Sequence, residues 1–389
     1  MKFTITNADL QNALAAAVAV SKHPDPIRII AERIGEDPGA VDTEERPAET
    51  GQVRLVAFSD TMVIEWRRPA EIRMAGTAAV VPEGLDRLVK ASKTSDSTFT
   101  LETVDTDNAA ALRLTTARSS HEFPTVSGSV FDTVQVGHTD SPRSDLSNLG
   151  RAIEIARIAA ASRGDAAGGR IMLTGVHLRI REGLVDVVGT DGRRMAVIQL
   201  RNTDIGGLDL TAHPGGITLP PEALGLVTEM LKSPEASFEV IGHNAVVETA
   251  SGSLSVRLID AAYPDYTSLL AAKVPGRISL AKPALDIALQ RSSVALARDK
   301  RAVAVKLTRD EEGVYMTSSA AGQSSSECLT EEGGDAFEIG FDVRYMQQAI
   351  GVFEGGAIDL AFDAETAPIR VTSQKRPEVQ MLVMPCRVG

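Results

Sequence analysis

The residue types that most often carry chemistry are scattered in this chain. The six histidines (His23, His121, His138, His177, His213 and His243) show no paired spacing that would bring two imidazoles to one metal ion. There is no HExxH, GxSxG, Walker loop or GxGxxG. His177 falls on an alternating strand pattern, where a structural role is the commoner one. Cys328 and Cys386 do not make a disulfide framework. The expectation is therefore no enzyme, no cofactor and no metal. What remains is binding chemistry. The pair Met384-Pro385 near the end of the chain offers an apolar surface stiffened by the proline ring. Flexible methionine side chains let one such surface accept several partners.

Composition bounds the partners. The 389 residues suffice for two to four domains. Hydrophobic residues make up 43%, but aromatics only 4% with one tryptophan, so the cores must be built from Leu, Val, Ile and Ala. A net charge of −12 argues against coating nucleic acid with the whole surface and leaves room for a local basic face. Met1-Lys2-Phe3-Thr4-Ile5 opens as a strand rather than a signal segment. No apolar run approaches the ~20 residues of a membrane helix. A cytoplasmic protein with no membrane contact is expected.

The elements that must position any site recur three times. Helices are predicted over Ala8–Val20, Leu146–Ala160 and Pro283–Ala297. Their apolar residues stand at helical spacing: Leu10, Ala13, Leu14, Val18; Leu149, Ile153, Ile158; Leu285, Leu289, Val294. Hairpins are predicted over Val53–Trp66, Leu184–Leu200 and Gly313–Leu329. Second helices start near Pro82, Pro221 and Asp342, and the closing strand groups end at Phe123-Pro124, Tyr263-Pro264 and Met384-Pro385. Pro124 to Pro264 and Pro82 to Pro221 span 140 and 139 residues; Pro264 to Pro385 and Pro221 to Asp342 both span 121. Two unrelated landmarks keep nearly the same spacing at each step. Each unit is α+β, with two helices on one face of an antiparallel sheet. Three such units, 1–127, 128–270 and 271–389, leave sheet edges at both ends. Head-to-tail dimerisation into a closed ring is one way to cover them.

Several segments carry a resemblance. They are Gly175-Val176-His177-Leu178, Val187-Val188-Gly189-Thr190-Asp191-Gly192-Arg193-Arg194-Met195-Ala196, Arg257-Leu258-Ile259-Asp260 with Tyr263-Pro264-Asp265-Tyr266, Ile339-Gly340-Phe341-Asp342 with Tyr345, and Val383-Met384-Pro385-Cys386-Arg387-Val388. In order and spacing the chain resembles the bacterial DNA sliding clamp family over essentially its whole length. It departs from that pattern at Arg193, where His is common, at Cys386, where Met is usual, and at Ala261-Ala262, where a Gly is usual. Glu36–Gln52 reads as an acidic inserted loop.

The resemblance implies three tandem clamp repeats closing as a head-to-tail homodimer around double-stranded DNA without regard to sequence. The ring would act as a processivity factor for the DNA polymerase III alpha subunit, the clamp loader and other proteins with clamp-binding motifs. It implies a partner-peptide pocket of Leu173, Thr190, Gly192, Arg193, Arg194, Met195, Pro264, Leu269, Pro368, Leu382, Val383, Met384, Pro385 and Arg387. Such a pocket takes Leu or Phe anchors. It places DNA against helices over 7–22, 82–93, 146–163, 220–232, 281–301 and 341–354. Those segments together carry +4, leaving −16 on the rest of the chain. Candidate phosphate contacts are Lys22, Arg28, Lys90, Lys93, Arg151, Arg157, Arg163, Lys232, Arg291, Arg298, Lys300 and Arg301. The dimer contact is expected from an edge strand Leu112-Arg113-Leu114 against Ala295-Leu296, with Arg113 and Arg118 facing Glu327, Glu331 and Glu332. Two other readings stay open: a specialised clamp paralogue (translesion or drug-resistance), and an α+β scaffold with no DNA role.

Overall fold

The computed structural model describes residues 1–21, 25–34, 48–92, 98–106, 109–126, 136–164, 169–271, 276–296, 304–320, 323–362 and 367–387. The first third runs β1 (Lys2–Thr6), α1 (Asn7–Val20), β2 (Ile27–Arg33), β3 (Glu49–Phe58), β4 (Met62–Met74), β5 (Gly76–Val80), α2 (Pro82–Ala91), β6 (Thr98–Asp105), β7 (Ala110–Thr115) and β8 (Ser120–Pro124). The middle third runs α3 (Ser147–Ala159), β9 (Val176–Arg181), β10 (Leu184–Thr190), β11 (Arg194–Arg201), β12 (Ile217–Leu219), α4 (Leu224–Met230), β13 (Ala236–Ile241), β14 (Asn244–Thr249) and β15 (Gly252–Arg257). The last runs α5 (Thr267–Ala271), β16 (Gly276–Ala281), α6 (Lys282–Leu296), β17 (Ala304–Arg309), β18 (Val314–Ala320), β19 (Gln323–Thr330), β20 (Phe337–Asp342), α7 (Val343–Gly351), β21 (Ala357–Phe362), β22 (Ile369–Thr372) and β23 (Val379–Val383).

One pairing scheme recurs. In the first third β2 pairs with β3 and β5, β3 with β4, β6 with β1 and β7, and β7 with β8, all antiparallel. The last third repeats every one of these pairs with β16 to β23. The middle third repeats β9 with β10 and β12, β10 with β11, β13 with β14 and β14 with β15. The fold is α+β with antiparallel sheets.

By contacts the chain divides into two units: Met1–Ser147 with Gly225–Leu258, and Asn148–Leu224 with Ile259–Gly389. The first holds an eleven-stranded sheet in which β15 pairs with β4. The second holds an eight-stranded sheet, ordered β12-β9-β10-β11-β23-β22-β21-β16, and a four-stranded sheet, β19-β18-β17-β20. The joins β15–β4 and β23–β11 are of one kind. Each sets the last strand of one repeat against the second hairpin strand of the repeat before it.

Local chemistry explains the helix starts. Thr6 caps α1, its hydroxyl accepting from the Asp9 amide at 3.1 Å. Asp342 caps α7, accepting from the Arg344 amide at 2.9 Å. Pro82 begins α2, where a missing N–H costs nothing. α4 starts at Leu224 rather than Pro221, because Pro220–Ala223 forms a separate turn closed by the Ala223 amide on the Pro220 carbonyl. Ile158 is 37% exposed, so it lies off the face that buries Leu149, Ala152, Ile153 and Ala156. Of the expected acidic loop, Glu49–Gln52 belong to β3 and residues 36–47 lie outside the described ones.

Phe3, Ile5, Leu10, Leu14, Leu55, Ile64 and Phe99 centre the first core; Leu285, Leu289, Phe341, Leu360 and Val371 belong to the second. Among the described residues no helix is long and apolar enough to cross a membrane. At Gly189 a Cβ would sit 2.0 Å from the Ala156 carbonyl oxygen, so glycine lets α3 approach β10. Gly189→Ala is expected to cost about 1–3 kcal/mol through overpacking. Thermal unfolding would read this as a Tm lower by several degrees.

Candidate functional site

The turn between β10 and β11 is built from its own side chains. The Thr190 hydroxyl donates to the Arg194 carbonyl at 2.7 Å and accepts from the Gly192 amide at 3.1 Å. Asp191 accepts from the amides of Arg193 (2.8 Å) and Arg194 (3.0 Å) and from Arg194 Nε (3.1 Å). Gly192 has φ +84°, where a side chain would strain the turn. The Arg194 guanidinium lies 4.8 Å from the centre of the Tyr345 ring, and an Arg193 guanidinium nitrogen donates to the Tyr345 hydroxyl at 3.4 Å.

The chain end is laid against this turn. β23 pairs with β11 in the register Arg194↔Val383 and Met195↔Leu382, and with β22 in the register Arg370↔Leu382. Beyond the ladder, the Met384 amide donates to the Arg193 carbonyl at 2.8 Å, and the Cys386 amide to the Gly340 carbonyl at 2.9 Å. Arg370 donates to the carbonyls of Leu269 (3.3 Å) and Leu270 (2.9 Å), tying α5 to β22. The result is a cleft of about 80 Å³ lined by Thr190, Gly192, Arg194, Met195, Leu269, Pro368, Leu382 and Met384. Leu269 and Met384 are 40% and 38% exposed, unusual for large apolar side chains, and both stand in its wall.

Every lining residue is among those expected from the sequence. Leu173 is instead buried in the 3-10 turn Ile171–Thr174. Val383 is fully buried, because alternation along β23 turns it away from Leu382. Arg193, Pro264, Pro385 and Arg387 do not line the cleft. Tyr345 was not expected, although it stands in a segment that carried the resemblance.

Beneath the cleft Val188, Met195, Val197, Tyr266 and Leu382 form one apolar cluster, with Tyr263 and Leu270 against it. Asp186, fully buried, accepts from the Tyr266 hydroxyl, Arg181 Nε and Gln199 Nε2, each at 2.8 Å. Burial and that carboxylate push the Tyr266 hydroxyl pKa well up. His177 stacks on Tyr263 at 4.2 Å and shares a 3.0 Å hydrogen bond with Thr218. Burial, then the Arg179 charge, lower its pKa from 6.5 to about 4. A His held neutral in the fold but protonated when unfolded stabilises the fold above pH 6.5. That contribution is lost as pH falls through the window from 6.5 to about 4 and is worth ~3 kcal/mol over that span. His177→Gln is expected to flatten the acid limb of a denaturation midpoint plotted between pH 4 and 7; an unchanged limb contradicts this.

The cationic residues expected to meet DNA are dispersed. Lys90 pairs with Asp86 (2.7 Å), Arg163 with Glu222 (2.8 Å), Lys232 with Glu229 (2.7 Å), Arg291 with Glu327 (3.0 Å) and Arg151 with Glu354. Arg157 is exposed near the end of α3. Arg28 is half-buried on β2, between β3 and β5, rather than on a helix. Lys22, Lys93, Arg298, Lys300 and Arg301 lie outside the described residues. Exposed ion pairs hold only ~0–1 kcal/mol each, so a phosphate can displace them.

The expected edge strand needs correction. Leu112-Arg113-Leu114 belongs to β7, which is paired on both sides by β6 and β8, and both leucines are fully buried. Arg113 is held by Glu102 and Glu122. The edge is β8. Ala295 and Leu296 lie on α6, but their side chains are outside the described ones.

Residues 270–387 match the family model for the DNA polymerase III beta subunit, C-terminal domain. The beta sliding clamp of Synechococcus elongatus is 25% identical over 359 residues, covering 88% of this chain and 89% of that protein. The solved Caulobacter crescentus beta sliding clamp superposes with a TM-score of 0.82 at 21% identity, over 100% of this chain and 99% of that one. The Helicobacter pylori beta clamp, solved bound to a DNA ligase peptide, gives 0.78 at 19% identity over the whole of both chains. Over residues 270–387 the chain carries the C-terminal domain of the DNA polymerase III beta subunit family, and over its whole length it has the fold of the solved bacterial beta sliding clamps.

Proposed function

We propose that the chain is a DNA sliding clamp. It is a non-catalytic, cytoplasmic processivity factor that closes as a head-to-tail homodimer around duplex DNA. It tethers the DNA polymerase III alpha subunit, the clamp loader and other proteins with clamp-binding motifs. The three repeats divide as 1–127, 128–270 and 271–389. One observation carries the ring. The join between successive repeats is made twice in the same way, β4–β15 and β11–β23, and would be made a third time by β19. Its partner in that scheme is the last strand of a following repeat, and β8 of a second copy is the strand left over. Among the described residues β8 pairs only with β7, and β19 only with β18. Open strand edges of this kind are normally covered, and a closed two-copy arrangement covers both.

DNA contact in this reading is electrostatic and blind to sequence. Arg157, Arg298 and Arg301 are proposed phosphate contacts. Changing all three to Glu is expected to weaken retention on DNA at low salt equally for all sequences. The slope of log affinity against log salt should become shallower by about 2–3. A triple variant with the wild-type salt slope would remove these residues from the DNA face. The cleft beside Thr190–Met195 is the proposed site for partner peptides, and it supports Leu or Phe anchors as occupants. A specialised paralogue would share all of this and differ in partner choice. Binding panels of replicative and translesion polymerase peptides separate the two.

A further inference from the structure

Leu269 stands in the cleft wall on a helix that has no core of its own. No residue of α5 is buried, so apolar burial does not fix where this single turn stands. Two polar tethers hold it instead. The first is Tyr266, just before α5. Its carbonyl accepts from the Leu269 amide at 3.1 Å, and its buried hydroxyl end donates to Asp186 on β10 at 2.8 Å. Asp186 is fully buried and is itself held by Arg181 Nε and Gln199 Nε2, each at 2.8 Å. The Tyr266 ring is set edge-on to His177 and Tyr263, with centroids 6.4 Å away in both cases. A buried carboxylate gives up a donor only at the cost of an unmet charge, so this hydroxyl is firmly placed. The second tether is Arg370 on β22, whose guanidinium donates to the Leu269 and Leu270 carbonyls at 3.3 and 2.9 Å. Between them Asp265 closes the start of α5, accepting from the Thr267 amide at 3.0 Å.

We propose that Tyr266, acting through Asp186, and Arg370 are positioning residues for the cleft, setting Leu269 where a partner's apolar anchor meets it. This rests on the cleft being the partner-peptide site and adds what holds its wall in place. Asp186, Tyr266 and Arg370 do not line the cleft, so they act on a peptide only through Leu269. The gain is preorganisation. A wall fixed before the peptide arrives needs no ordering on binding, whereas a loose one loses its freedom at that moment and weakens the complex.

The test uses the full-length protein and a synthetic fluorescent peptide with Leu and Phe anchors. Tyr266→Phe keeps the ring and removes the hydroxyl; Arg370→Met keeps the length and removes the donors. Each is expected to weaken binding about five- to tenfold, at a temperature where Tm and oligomer mass show a folded protein. In a Leu269→Ala background neither change should weaken binding further, because no wall is left to place. Gln199→Met is the control. It also takes one bond from Asp186 but lies off the path to α5, so it should lower Tm and leave affinity within twofold. A loss as large for Gln199→Met as for Tyr266→Phe would overturn the proposal, since general loosening would then explain it. So would losses that persist in full beside Leu269→Ala, or unchanged affinity in either tether variant. All of these leave the cleft as the peptide site. Should Tyr266→Phe fail to fold, Arg370→Met alone decides by the same outcomes. Failure of the peptide to bind wild type would overturn the peptide-site reading and the positioning role with it.

Discussion

A chain ending at Val383 is expected to lose binding of a polymerase-derived peptide by two or more orders of magnitude while still dimerising. The cut falls at the end of β23, so the β11–β23 ladder is left whole. What is removed is the segment outside the ladder: Met384, held by its amide on the Arg193 carbonyl, then Pro385 and Cys386, held on Gly340. Met384 is one wall of the cleft, and Leu269 and Pro368 alone cannot close it. Each buried Leu or Phe anchor contributes about 1.5–3 kcal/mol, and every 1.4 kcal/mol is tenfold in affinity. Titration of a fluorescent peptide against the shortened chain measures this. Unchanged affinity with an intact dimer would move the peptide site away from the chain end.

Glu122→Pro is expected to convert the dimer to a monomer. In the β7–β8 ladder the Thr116 amide donates to the Ser119 carbonyl and the Thr125 amide to the Ala110 carbonyl. Alternation from those two bonds pairs Leu114 with His121 and Leu112 with Phe123 through hydrogen bonds. The amides of Ser120 and Glu122 therefore point away from β7, toward any strand that adds to the edge. Proline at 122 removes the central one without touching the β7 ladder. Glu122→Ala, which loses only the ion pair to Arg113, is the control and should remain dimeric. Light scattering at micromolar concentration should give 41.2 kDa for the proline variant and twice that for the control. A proline variant that stays dimeric would mean that β8 is not the interface.

These two changes also mark what the sequence made legible. The threefold plan is visible because the closing prolines and the second-helix starts shift together, by 139–140 and then by 121 residues, and the pairing scheme repeats strand for strand. The cleft is legible only through the resemblance, which supplies its lining residues; spacing alone does not bring Leu269 and Pro368 to the Thr190–Met195 turn. Tyr345 was passed over because nothing in sequence spacing says that a helix start will lie under an arginine of a distant turn. The edge was misjudged for a physical reason. Leu112-Arg113-Leu114 alternates cleanly and so reads as a strong strand, but alternation reports which face a strand buries and not whether its edges are paired, and β6 and β8 pair both. The true edge, Ser120-His121-Glu122-Phe123-Pro124, is short and polar and ends in proline. Edges are often built that way to resist unwanted pairing, and such segments give little strand signal. Ile158 shows the limit of helical spacing alone. Leu149 and Ile153 lie on the buried face of α3 as their spacing implies, together with Ala152, Ala156 and Ala159, whereas Ile158 falls outside it.

The hold on DNA proposed for the protein is topological, by encirclement. The most direct measurement is retention on a nicked circular plasmid after loading with the cognate clamp loader, followed by gel filtration in high salt with and without a single restriction cut. An encircling clamp stays with the circle at salt that abolishes ordinary phosphate contacts, and runs off once the plasmid is linear. Equal retention on circular and linear DNA, or loss from both, would contradict the ring.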